Sequence, residues 1–244
     1  MSEISFERYG RLAMLDLSYT EMSERGLSTI AAQKKALVDI MAKLDLQPED
    51  QCLEIGCGVG NMLIPLSYFV GHMSGIDHEN CLEIVKKRCS ADNITLIPGN
   101  FLALDPGKET FDKILVYSVL QYLSREQLFS FVDKALGLLR TGGKMLLGDL
   151  PNNSLRERFL ASPSGKKFEE EWRKKYAANR HSDIYIKAAQ QAEPDPENVA
   201  FDDALVLELV AYLRDSGVHA FILPQPCDLP FGNSREDILV TRPA

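Results

Sequence analysis

Between residues 51 and 150 the spacing of apolar positions switches repeatedly between two periods. "QCLEI", "HMSGID", "ITLIP", "FDKILVYS" and "KMLLGDL" are short apolar runs, most of them bordered by glycine, proline or polar residues, and they predict five strands. Between them, "NMLIPLSYF", "NCLEIVKKRCS" and "SREQLFSFVDKALGLL" carry apolar residues at helical spacing, with Pro65 in the first turns of the first helix. Asn80, with Glu83 three residues on, is the expected N-cap of the second helix. Ser124 with Gln127 is the expected capping box of the third, which closes near "RTGG". Strands that alternate with helices predict a parallel sheet covered on both faces, with right-handed crossovers.

The flanks read differently. "STIAAQKKALVDIMAKLDL" predicts a helix from Ile30 through Leu44 that breaks at "QPED". After the fifth strand the rhythm stops in a polar, helical stretch around "FEEEWRKKYAANR", followed by the break "EPDPEN". A helix over "DDALVLELVAYLRDSG" resumes, capped by Asp202 or Asp203 and ended by Gly217, and "HAFILPQP" and "EDILVTRP" are two closing strands. The expected organisation is a helical cap over 1–48, a core over 49–151, a helical insert over 152–200 and a return to the core sheet over 201–244. The insert is too short and too polar to carry a core of its own.

The chain has 244 residues, 45% of them hydrophobic, which suits one buried core. Its formal charge of -8 disfavours non-specific nucleic-acid binding, which depends on Lys and Arg neutralising phosphates. No apolar run reaches the about 18 residues of a membrane span. The start, "MSEISFERYG", has an early acid and no apolar stretch of the secretory type. The five cysteines, Cys52, Cys57, Cys81, Cys89 and Cys227, form no C-x-x-C pair and predict reduced thiols and no metal site. The expected setting is cytoplasmic, with no membrane and no nucleic-acid partner.

"CLEIGCGVGN" carries the chemistry. Gly56, Gly58 and Gly60 remove every second Cβ from the turn after the first strand, where open parallel sheets bind ligands. The dinucleotide pattern G-x-G-x-x-G is not met, because Asn61 stands at its third glycine. Nor is there a G-x-x-x-x-G-K-[ST] phosphate loop. Glu54 would repel a pyrophosphate but suits a ligand with positive charge. Both features oppose a nicotinamide-dependent oxidoreductase.

"LEIGCGVGN", followed about twenty residues on by "GIDHE", resembles the class I S-adenosylmethionine-dependent methyltransferases. The likeness is close over roughly 50–150 and one of layout over 202–242. It implies a three-layer Rossmann-like sheet of about seven strands with the last antiparallel, and S-adenosyl-L-methionine as cofactor with S-adenosyl-L-homocysteine as product. It also implies site roles. Glu54 would lie near the methionine end, and Gly56, Cys57, Gly58 and Gly60 would line the cofactor by backbone. Asp77 would accept the ribose hydroxyls and His78 would flank the adenine, unless His78 is simply a solvated helix start. Asn100 and Phe101, in "GNF", would meet the adenine edge; Asn stands where the family more often has Asp. Carbonyl oxygens near Tyr117 would hold the ammonium, and Gln121 and Tyr122 would face the methyl group, although Tyr122 also reads as core. Cys57 reads as a small filler rather than a nucleophile.

Methyl transfer from a sulfonium is an in-line displacement that depends on alignment; a base is needed only where the acceptor loses a proton. The N/D-P-P-Y/F motif that related families use for amino groups is replaced here by "YSVL". A small-molecule acceptor, methylated at a hydroxyl oxygen, is therefore expected, with a sugar or phosphorylated metabolite among the candidates. His181 and Tyr19 are the catalytic candidates by residue type, followed by Asp149 and Tyr185. The cations Lys166, Lys167, Arg173, Lys174, Lys175 and Arg180 interleave with Glu169 to Glu171 and read as a solvated face or as a receiver for an anionic acceptor. The alternative from another class is a non-catalytic module that binds the cofactor or a nucleotide.

Overall fold

The computed structural model describes residues 2–15, 17, 30–105, 107, 109–178 and 195–244. Two helices, α1 (Glu3–Ala13) and α2 (Ile30–Leu44), precede the sheet. Then follow β1 (Gln51–Ile55), α3 (Leu63–Ser67), β2 (His72–Asp77), α4 (Glu79–Arg88), β3 (Ile94–Pro98) and β4 (Phe111–Tyr117). A short 3-10 turn, Leu120–Tyr122, leads to α5 (Arg125–Gly137) and β5 (Leu139–Pro151). The insert forms α6 (Asn153–Ala161) and α7 (Pro163–Ala178), and α8 (Asp203–Asp215), β6 (His219–Pro224) and β7 (Arg235–Thr241) close the chain.

The seven strands form one sheet in the order β3-β2-β1-β4-β5-β7-β6. β1 to β5 pair in parallel, and β7 runs antiparallel to both β5 and β6. Strand order reverses between β1 and β4, so the carboxyl ends of these strands border the crevice where such sheets hold ligands. β4 is the central strand. Ile114, Leu115 and Val116 are at most 2% exposed because helices cover both faces. Leu128, Phe131 and Val132 of α5 and Leu209 and Leu213 of α8 pack on one face. Ile40 and Leu44 of α2, with Leu63 and Leu66 of α3, pack on the other. This is the three-layer seven-stranded arrangement expected from the sequence, antiparallel last strand included.

Several boundaries differ from the sequence pattern. The first helix of the core is one short turn, Leu63–Ser67, rather than the whole of 61–69. β5 begins at Leu139, five residues before the expected "KMLLGDL", because Leu139 pairs with Phe111 before the register shifts to Lys113 with Lys144. Asn80 is not the N-cap of α4. His78 takes that place, its Nδ1 accepting from the Asn80 N–H at 3.1 Å, and the Asn80 side chain donates to the Gly10 carbonyl instead. The Ser124–Gln127 capping box is present, and Asp202 rather than Asp203 caps α8. Among the described residues, no helix is long and apolar enough to cross a membrane.

Candidate active site

β1 delivers Glu54 to the crevice because its neighbours Leu53 and Ile55 point into the core. Glu54 is 3% exposed, and its Oε2 has no hydrogen-bond partner. Burial, and after it the charge of Asp77, push its carboxyl well above the usual range. An unpaired buried carboxyl is costly, so a buried group of this kind calls for a cationic partner.

The glycine loop is built around the end of β2. The N–H groups of Gly56 and Cys57 both donate to the Ile76 carbonyl, at 2.8 and 3.2 Å. The Gly58 N–H donates to Asp77 Oδ2 at 2.7 Å, and the His78 N–H to Asp77 Oδ1 at 2.6 Å. Burial raises the Asp77 carboxyl, and these two N–H donors oppose it. Gly56 has φ of 79°, and a Cβ there would meet Val119 at 2.4 Å. Gly58 has φ of 54° and nothing within 4 Å of a built Cβ. A side chain at Gly58 would be strained and would project into open space, so the bare backbone leaves room for a ligand.

The crevice brings together Glu54, Gly56, Cys57, Gly58 and Asp77 from the loop side with Tyr117, Gln121 and Tyr122 from the exit of β4. Gln121 donates its amide to the Ser118 carbonyl at 3.0 Å, and its Oε1 is buried without a partner. Burial pushes the Cys57 thiol well up, which keeps it neutral. Two residues of the preceding helices also line the space. Tyr9 of α1 donates its hydroxyl to that of Tyr122 at 2.6 Å, and Gln33 of α2 donates to the Asn61 carbonyl at 2.6 Å.

Four of the expected cofactor residues lie outside this lining. Gly60 faces the packing side, where a Cβ would crowd Ile64 and Val85. The His78 ring is sandwiched under α1, 4.9 Å from Phe6 and directly against Gly10. Asn100 donates to Glu3 at 3.4 Å and accepts from the Leu102 N–H. Phe101 is buried edge-on against Phe131, 4.8 Å away. The physical reason is common to His78 and Asn100: α1 lies across the region beside β2 and β3, and Glu3, Phe6 and Gly10 occupy the contacts there. Of the catalytic candidates, His181 and Tyr19 lie outside the described residues, as does Tyr185. Asp149 does line the crevice.

Residues 52–143 match the family model described as a methyltransferase domain. Residues 52–143 are thus a methyltransferase domain, and the seven-stranded sheet around it is the fold of solved class I S-adenosylmethionine-dependent methyltransferases. The structure of a magnesium protoporphyrin IX methyltransferase from Synechocystis with bound S-adenosylhomocysteine is similar at a TM-score of 0.60 and 14% identity, covering 98% of this chain and 95% of that one. An N-methyltransferase from Bradyrhizobium japonicum, also with S-adenosylhomocysteine, is similar at a TM-score of 0.63 and 15% identity, covering 99% and 100%. At these identities the likeness is one of fold. Among curated proteins, a demethylmenaquinone methyltransferase of Shouchella clausii is 33% identical over 85 residues, which are 32% of this chain and 36% of that protein. A probable ribosomal RNA small subunit methyltransferase A of Methanothermobacter thermautotrophicus is 33% identical over 67 residues, 27% of this chain and 24% of that protein. The match thus spans about a quarter to a third of these relatives' length.

The family's cofactor is S-adenosylmethionine, and the residues present fit it. The unpartnered Glu54 oxygen and the Asp77 carboxyl supply negative charge to a cationic ligand, and the open space over Gly58 admits one.

The crevice continues past β4 into groups the sequence did not bring together. Ser118 follows β4, Asp149 lies near the end of β5 where its register shifts between Leu147 and Leu150, Arg235 begins β7 beside them, and Gln225 follows β6. Of these only Asp149 was legible beforehand, as an acid at a strand end. Gln225 and Arg235 needed the antiparallel β7, which carries its first residues to the carboxyl ends of its neighbours.

Proposed function

We propose that this methyltransferase moves the methyl group of S-adenosylmethionine to a hydroxyl oxygen of a small molecule. The observation that carries this reading is Glu54. Its buried, partnerless oxygen stands beside Asp77 and the open Gly58 turn, with no cation paired to it among the described residues. Bound S-adenosylmethionine supplies a methyl group on a good, neutral leaving group. The protein's share is then alignment: Glu54 and Asp77 anchor, Tyr117, Gln121 and Tyr122 border the far end, and the roof keeps water out.

A small acceptor is supported by the roof. Tyr9 and Gln33 close the crevice from α1 and α2, in keeping with a substrate-cap role for residues 1–48. The 152–200 insert takes the same role on the other side, through the contact of Trp172 with Phe231 at 5.4 Å. Nucleic acid is disfavoured by the net charge and by the basic residues of α7. Arg173 and Lys174 are matched by Glu169 and Glu170 one turn earlier, which supports a solvated face over an anion receiver for this part of α7.

The test has two parts. Calorimetry should show S-adenosylmethionine binding that Asp77→Ala weakens strongly; unchanged affinity would count against the site. Methyl-labelled cofactor incubated with small-molecule extract and, separately, with total RNA should label the former. Label in RNA would move the acceptor to nucleic acid, and cofactor binding with no turnover in either pool would favour the non-catalytic module.

A further inference from the structure

The geometry points to the far half of the crevice as an acceptor subsite for a neutral, ring-shaped molecule carrying one hydroxyl, with Ser118 and Asp149 receiving the hydroxyl proton and Phe231 carrying the ring. This inference rests on the proposed methyl transfer and names its acceptor class.

Position comes first. Asp77 ends β2, and Arg235 opens β7, four strands across in the order β2-β1-β4-β5-β7. At about 4.8 Å per strand this is roughly 19 Å. The anionic anchors Glu54 and Asp77 occupy the β2 and β1 end, so the β5 and β7 end is left for the second reactant.

The chemistry of that end is specific. Ser118 and Asp149 are two of the three described non-glycine residues at positive φ, at 60° and 63°. Both line the crevice, and the Ser118 hydroxyl donates to Asp149 Oδ2. Such backbone is strained and persists only where surrounding contacts impose it. Here the Asp149 N–H donates to Asp237 at 2.8 Å, and Arg235 Nη1 holds both the Asp149 carbonyl, at 2.9 Å, and its carboxylate, at 2.7 Å. Gln225 bridges Asp149 and Asp237 at 3.3 and 3.0 Å. The network fixes a hydroxyl–carboxylate pair facing the cavity.

Each cation is matched. Arg235 pairs with Asp149, and Lys43 with Asp237 and Asp39, so among the described residues this half has no surplus cation for a phosphate or carboxylate. Its remaining wall is apolar, built from Leu229, Pro230 and Phe231. The Phe231 ring is backed by Trp172 of the insert at 5.4 Å and flanked by the Arg235 guanidinium at 5.2 Å. An aromatic ring is the body that such a surface accommodates best.

The proton then has a route. As the acceptor oxygen bonds to the methyl carbon, the carbon–sulfur bonding pair stays on sulfur. The hydroxyl proton passes to Ser118 Oγ, and the proton of Ser118 passes to the Asp149 carboxylate, to be lost to solvent after the products leave. An amine acceptor would need no such pair.

Trp172 is the sole tryptophan of the chain and reports on Phe231. Protein saturated with S-adenosylhomocysteine, with saturation verified by calorimetry, is titrated with methyl para-hydroxybenzoate, methyl benzoate and the para-hydroxybenzoate anion. A saturable Trp172 change is expected, with the neutral phenol binding about tenfold more tightly than either of the others. Ser118→Gly, which also relieves the positive φ, should erase the preference over methyl benzoate, and Phe231→Ala should weaken both esters alike. Turnover of the phenol should fall about a hundredfold in Asp149→Asn. No saturable change, a tighter anion, or a hydroxyl preference that survives Ser118→Gly would overturn the subsite. Failure of S-adenosylhomocysteine to bind at all would instead overturn the cofactor reading.

Discussion

Asp77 and Gly58 are joined by a hydrogen bond of 2.7 Å, so the acid that ends β2 also holds the glycine turn that leaves β1. One carboxylate thereby serves two elements. Asp77→Ala removes the acceptor for the Gly58 and His78 N–H groups together with a negative charge at the site. Bonds to charged groups contribute about 1.5–3 kcal/mol, so S-adenosylmethionine affinity should fall roughly tenfold to a hundredfold by calorimetry. Asp77→Asn, which keeps one acceptor oxygen, should lose less.

Glu54 should make cofactor binding depend on pH. Burial first and Asp77 second raise its carboxyl above the ordinary value, so the native ligand-free protein binds a proton that the unfolded chain gives up. The resulting contribution to stability is full below the unfolded pKa and is lost as pH rises through the higher native one. A cationic ligand favours the ionised form. Affinity for S-adenosylmethionine should therefore rise with pH over that same window, with proton release detectable by calorimetry in buffers of different ionisation enthalpy. Glu54→Gln should raise the melting temperature of the ligand-free protein at mildly alkaline pH. It should weaken S-adenosylmethionine more than S-adenosylhomocysteine, whose sulfur is uncharged.

The seat of α1 is tight at Gly10, where a Cβ would come within 2.4 Å of the His78 ring. Gly10→Val should cost about 1–3 kcal/mol by overpacking. For a chain of this size that is roughly 2–4 °C of melting temperature per kcal/mol. It should also break the Tyr9–Tyr122 contact, visible as altered protection of the α1 amides in hydrogen exchange.

Lys43 meets Asp237 at 2.8 Å, with side chains 10% and 0% exposed. Lys43→Met leaves a buried acid without its cation and should cost about 3 kcal/mol or more, measured by denaturant unfolding. Adding Asp237→Asn should recover part of the loss, since an amide needs no counter-charge.

Local pattern was enough for the strands, the capping box at Ser124 and the glycine turn. Each is a property of a few consecutive residues: apolar spacing, a side chain that reaches three residues on, a missing Cβ. Glu54 and Asp77 could be paired in advance because both stand at the ends of adjacent parallel strands. The cap of α4 was misplaced by two residues because the His78 ring is held by Phe6 and Gly10, and the Asn80 side chain is drawn to the Gly10 carbonyl.

The chain's own order thus determined the sheet, its helices and the anionic, glycine-lined half of the crevice, because motifs within some thirty residues encode them. In the other half only Asp149 stood out in the sequence, and its partners were decided by tertiary structure. Ser118, Asp149, Gln225 and Arg235 come from four separate segments, and no spacing along the chain announces their meeting. The antiparallel entry of β7 and the register of β5 bring them together. The seating of α1 over His78 and Asn100 was likewise invisible, since contacts between residues some seventy to a hundred positions apart leave no periodic trace.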